Sequence, residues 1–141
     1  METINDRKRM QKLVYLFPKF GIDVDFNYNW HIYGPYSPHL ADVLYEIVER
    51  EPVTPEQPTE KELSKIKKMK GFLAEDIASP DRLELLVSIA FLSDHIGGLK
   101  TRNAEKEISS VLRQTKPYFS ETEIREAMEK VRKLEEGPAN S

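Results

Sequence analysis

Residues 79–98 read SPDRLELLVSIAFLSDHIGG, and this stretch decides the fold class. Ser79 followed by Pro80 opens a helix. The serine hydroxyl can accept from one of the free amides of the first turn, and the fixed φ of proline suits the first helical position. Gly97-Gly98 supplies the stop. Between them, Leu83, Leu85, Leu86, Val87, Ile89, Ala90, Phe91 and Leu92 occupy almost every direction around the helix axis. A helix that is apolar nearly all round has to be enclosed by protein, so it is expected at the centre of a mainly α fold. Its nearly uncharged run, Leu85 to Ser93, is far shorter than the ~20 residues that span a bilayer.

The segments on either side read as helices that pack around it, five or six in all. Residues 6–20 place Met10, Leu13, Val14 and Phe17 on one face at i, i+3, i+4, i+7 spacing, with Asp6 as cap and Gly21 as stop. Lys8, Lys12, Tyr15 and Lys19 fall on the opposite, solvated face, and Pro18 makes the last turn irregular. Ser37-Pro38 repeats the cap-then-proline start for a helix to about Arg50 on Leu40, Val43, Leu44, Ile47 and Val48. The three prolines of EPVTPEQP, residues 51–58, make an extended connector. Thr59-Glu60-Lys61-Glu62 is a capping box for a helix burying Leu63, Ile66, Met69 and Leu73. A helix from about Asn103 buries Ala104, Ile108, Val111 and Leu112, and Pro117 stops it. Ser120 and Glu123 form a second capping box, followed by Ile124, Ala127, Met128, Val131 and Leu134. The expected organisation is one helical domain over residues 1–136 with a frayed tail at 137–141.

One stretch breaks the helical period. Ile22, Val24, Phe26, Tyr28, Trp30 and Ile32 alternate with Asp23, Asp25, Asn27, Asn29 and His31. That is a half-buried strand, or a hairpin bending near residues 25–27. A lone strand leaves backbone donors unpaired, so it either folds back on itself or pairs with a second copy of the chain. Gly34-Pro35 then reads as a turn.

Composition narrows the function classes. With 39% hydrophobic residues in 141, the chain can build a real core. There is no cysteine, which removes disulfides and thiolate metal sites and favours the cytoplasm. The opening METINDRKRM lacks the apolar core of a secretory signal. The net charge of −3 is unevenly spread. Residues 1–20 carry five Lys/Arg against two acids, residues 21–58 one against seven, and residues 99–118 five against two. An acidic total disfavours tight nonspecific binding to nucleic acid.

The pair Arg9-Met10-Gln11-Lys12-Leu13-Val14-Tyr15 and Tyr33-Gly34-Pro35-Tyr36-Ser37-Pro38-His39-Leu40 resembles the YwgA-like family of bacterial and archaeal proteins, whose activity is unassigned. More distantly it is similar to the Panacea domain of SocA-like proteins and of antitoxins. The resemblance covers about residues 7–48. It implies a mainly helical fold whose first helix packs on the aromatic Gly-Pro segment. From the Panacea side it implies work done by binding another protein, with no catalytic residues to carry over.

The residues themselves offer two candidate surfaces. Tyr33, Gly34, Pro35, Tyr36 and His39 form an aromatic segment of the kind enriched at interfaces. The bland alternative folds both tyrosines inward over the first helix. Phe26, Tyr28 and Trp30 can stack bases, but their strict alternation favours core. Basic stripes run along two helices: Lys8, Lys12 and Lys19, then Arg102, Lys106, Arg113 and Lys116, with Ser109 on the second line. They are suited to phosphates and equally to a solvated helix face. His31, His39 and His95 show no ligand spacing, and Asp23, Asp25 and His31 alternate onto the outer face of one strand, so no metal or other cofactor is expected. Ser37 and Ser79 are caps, and no nucleophile elbow or phosphate loop is present. The expectation is a noncatalytic, cytoplasmic protein-binding module, antitoxin- or adaptor-like, whose partner is another protein or a second copy of the chain. A nucleic-acid-binding regulator using the basic faces is the alternative. A small enzyme has no motif behind it.

Overall fold

The computed structural model describes residues 4–24, 26–31, 34–49 and 59–136. The proline connector 51–58, the tail 137–141, Asp25 and Tyr33 lie outside the described residues. Of what is described, 78% is helical, in six α-helices and two 3₁₀ turns, beside one two-stranded antiparallel hairpin. No helix among the described residues is long and apolar enough to cross a membrane. The chain divides into two compact units, Met1–Ala74 and Glu75–Ser141.

In the first unit, α1 spans Ile4–Leu16 and passes into a 3₁₀ turn, Phe17–Phe20. Pro18 sits where the expected irregular turn falls, at the start of this tighter helix. The helix begins before Asp6, so that residue is not the cap. Next come β1, Asn29–His31, and β2, Gly34–Tyr36, paired antiparallel with Asn29 opposite Tyr36, Trp30 opposite Pro35 and His31 opposite Gly34. This corrects two readings. The strand expected over residues 22–33 is confined to its last part, because residues 22–24 and 26–28 run without ladder partners. Gly34-Pro35 is the missing mate rather than a turn: proline lacks an N–H but is tolerated in an edge strand. Gly34 has φ +108, a backbone conformation that L side chains rarely adopt.

Helix α2, Pro38–Glu49, starts as the Ser-Pro pair dictates, with Leu40 N–H donating to Ser37 Oγ at 3.2 Å and Ala41 N–H to its carbonyl at 3.0 Å. Val14 of α1 and Leu40 and Leu44 of α2 form a buried cluster, against which Met10, Phe17, Val24, Phe26 and Tyr28 pack. Phe26 and Tyr28 are thus core residues, not a stacking platform, and Tyr15 meets Tyr28 edge to face at 4.9 Å. Helix α3, Glu60–Leu73, is capped by Thr59, whose hydroxyl accepts from Glu62 N–H. It buries Met69 and Leu73 and sets Phe72 against Phe20. Leu63, expected inward, is 51% exposed, since the first turns of this helix bury no residue.

A 3₁₀ turn, Ala74–Ala78, leads into α4 of the second unit, Pro80–Ile96, capped by Ser79 and ended by Gly97 at φ +85. Leu83 to Phe91 are buried without interruption, as the sequence requires. Helices α5, Arg102–Thr115, and α6, Glu121–Glu136, pack against α4 through Ile108 and Leu112, and through Ile124, Met128, Val131 and Leu134. The Ser120–Glu123 capping box is complete: each residue's backbone N–H reaches the other's side chain, at 3.0 and 3.1 Å. The Ser120 backbone N–H, and after it the Ser120 hydroxyl, bond to the Glu123 carboxyl and hold it below its ordinary pKa. Lys116 is a further correction. Instead of extending the basic stripe, it is 1% exposed and pairs with Glu84 of α4 at 3.2 Å, and Tyr118 Oη donates to the same carboxylate.

Candidate partner-binding cleft

Three short elements of the first unit enclose a cleft of about 380 Å³. Helix α1 gives it Arg7, Lys8, Gln11 and Lys12, positions that share one helical face. Strand β2 gives Gly34, Pro35 and Tyr36, and α2 gives Ala41, Leu44 and Tyr45. The floor is apolar and the rim cationic. Among the described lining residues there are three cations and no carboxylate.

Gln11 fixes the geometry. It is 5% exposed, and its Nε2 donates to the Ser37 carbonyl at 2.9 Å while its Oε1 accepts from Ser37 N–H at 3.0 Å. This joins α1 to the start of α2 across 26 residues and holds β2 against α1. Lys12 does not sit on a solvated face. It is 6% exposed, its stem packed in the protein and its Nζ 3.4 Å from the Lys8 carbonyl. At the mouth, the Arg7 guanidinium lies over the ring of Tyr45, 5.5 Å from its centre. Tyr45 itself is largely exposed, as an anchoring aromatic would need to be.

The structure therefore brings together residues that the sequence offered separately. Lys8 and Lys12 line the same cleft as Gly34, Pro35 and Tyr36. Gly34 and Pro35 are buried, Tyr36 is half-buried, and Tyr33 lies outside the described residues. His39 is exposed, with its ring 5.2 Å from Phe26, and does not line the cleft. Arg102, Lys106 and Arg113 belong to the second unit, where Arg113 pairs with Glu121 at 3.0 Å. Arg7, Gln11, Leu44 and Tyr45 were not singled out as site residues from sequence. The available signal was Gln11, a polar residue bordering the apolar stripe of α1. Among the described residues, no group of three His, Asp or Glu side chains is placed to hold a metal ion. Compared with known proteins, the chain matches no family model, no curated protein and no solved structure.

Proposed function

We propose that this protein is a noncatalytic binding module, working in the cytoplasm, whose α1–β2–α2 cleft receives an acidic segment of a protein partner. The observation that carries this reading is the lining itself: among its described residues, three cations, no carboxylate, and an apolar floor. A volume of about 380 Å³ suits one large anchoring side chain. Tyr36 and Tyr45 provide amphipathic rings of the kind enriched where surfaces meet. The resemblance of residues 7–48 to YwgA-like and Panacea proteins supports the same class, with an antitoxin or adaptor role as its finer form. A second copy of the chain is the competing occupant, since residues 21–58 carry one Arg against seven acids.

Affinity capture from the native cell, with the wild type beside Arg7→Glu/Lys8→Glu and Tyr36→Ser, tests the proposal. The expected result is a protein retained by the wild type and lost by both variants, with melting temperatures unchanged. Retention that survives both changes rejects the cleft. A fall of several degrees in the Tyr36→Ser melt with binding intact makes Tyr36 a core residue. Sedimentation velocity identifies the second copy, and recovery of nucleic acid with a steep salt dependence would replace the protein partner.

A further inference from the structure

A second groove lies wholly within the second unit, between α5 and α6, with a volume of about 570 Å³. Arg102, Lys106, Ser109 and Arg113 recur along it at i, i+4, i+7 and i+11, one face of α5. At 1.5 Å per residue that line is roughly 16 Å long. Helix α6 adds Arg125 beside the buried Ile124 and Met128.

The charges in this groove are not balanced. Its two carboxylates are already engaged, Glu105 by Arg132 and Glu121 by Arg113. Arg102, Lys106 and Arg125 form no ion pair with any described residue. Three exposed like charges along one groove repel each other and attract a ligand that carries several anions at matching intervals. From this charge pattern we infer that the α5–α6 groove docks an acidic helix of a partner protein, with carboxylates every three to four residues.

Three features separate this occupant from other anions. A line of roughly 16 Å exceeds what one phosphate group needs. Among its described lining residues the groove has no aromatic on which bases can stack, whereas single-strand binders rely on such platforms. Carboxylates at i and i+4 on a helix lie about 6 Å apart, the interval between Arg102 and Lys106.

The test uses the full chain and a fluorescent synthetic peptide of about 16 residues, helical, with glutamates at i, i+4, i+7 and i+11. One control has the same composition with the glutamates spread around the helix. Another is a single-stranded oligonucleotide of similar charge. Anisotropy should show the striped peptide binding more tightly than both. Lys106→Glu/Arg125→Glu should weaken it by about tenfold or more, whereas Lys67→Glu/Lys68→Glu on the exposed face of α3 in the first unit should change it by less than about twofold. Equal binding of the scattered peptide, tighter binding of the oligonucleotide, or loss only in the first-unit variant overturns the inference. If the reversed-charge variant melts early, Lys106→Gln/Arg125→Gln, which removes charge without adding any, gives the same comparison.

Discussion

The side-chain amide of Gln11 holds Ser37 by both of its backbone groups, donating to the carbonyl and accepting from the N–H. A strand neighbour would present the same donor and acceptor, so one glutamine stands in for a piece of sheet. Ser37 is fully buried, and its hydroxyl is occupied as the cap of α2.

Replacing Gln11 by alanine orphans the buried Ser37 N–H and leaves the Ser37 carbonyl only its bond from Ala41 N–H. A buried donor left unmade costs about 1–3 kcal/mol, so a loss of about that size is expected by chemical denaturation. Gln11→Glu keeps the acceptor and loses the donor. Its deficit should shrink at low pH, where a protonated carboxyl can donate again. A deficit that grows on acidification relative to the wild type would count against the pairing.

Leu86 lies at the heart of α4 and is 1% exposed. Leu86→Ala removes buried apolar surface and leaves a cavity, with an expected cost of about 2–5 kcal/mol. A thermal melt that barely moves would contradict the packing of the second unit.

The Glu84–Lys116 pair tests a different balance. Removing one partner strands a charge in the interior, at an expected cost of about 3–5 kcal/mol. Lys116→Met should therefore be severe, and Glu84→Gln/Lys116→Met should recover much of the loss. Additive effects of the two changes would show that the ions do not sense each other.

Tyr28 predicts an alkaline transition. Its hydroxyl has no hydrogen-bond partner among the described residues, and burial pushes its pKa up to about 12 from 10.0. Below pH 10 the phenol is neutral in both the folded and the unfolded chain. Between pH 10 and 12 the unfolded chain releases the proton and the folded one keeps it, so stability falls across that window. Tyr28→Phe should flatten this part of the profile, measured by denaturation at several pH values. At neutral pH the same change should leave stability unchanged or raise it by up to about 1 kcal/mol.

The devices legible in the sequence were the local ones. Ser37, Thr59, Ser79 and Ser120 cap the helices they were assigned, because a cap and the amide it serves lie within three residues. The apolar run of α4 dictated its own burial. What escaped depends on partners remote in the chain. Lys12 and Lys116 look like surface residues by spacing, yet Lys116 is buried because Glu84 waits 32 residues away. Gly34-Pro35 has turn chemistry, and only pairing with residues 29–31 makes it a strand. Both halves of the cleft were legible, but not the Gln11–Ser37 clamp that joins them.

The burial of Lys116 also makes it a reporter. Amine-acylating reagents modify lysines that they can reach, and Lys133 on α6 is open to them. The Lys116 nitrogen is shielded until the second unit opens around it. Its labelling rate, read by mass spectrometry beside that of Lys133, therefore follows the opening equilibrium of that unit. The chain carries its own gauge of how often its interior is exposed to solvent.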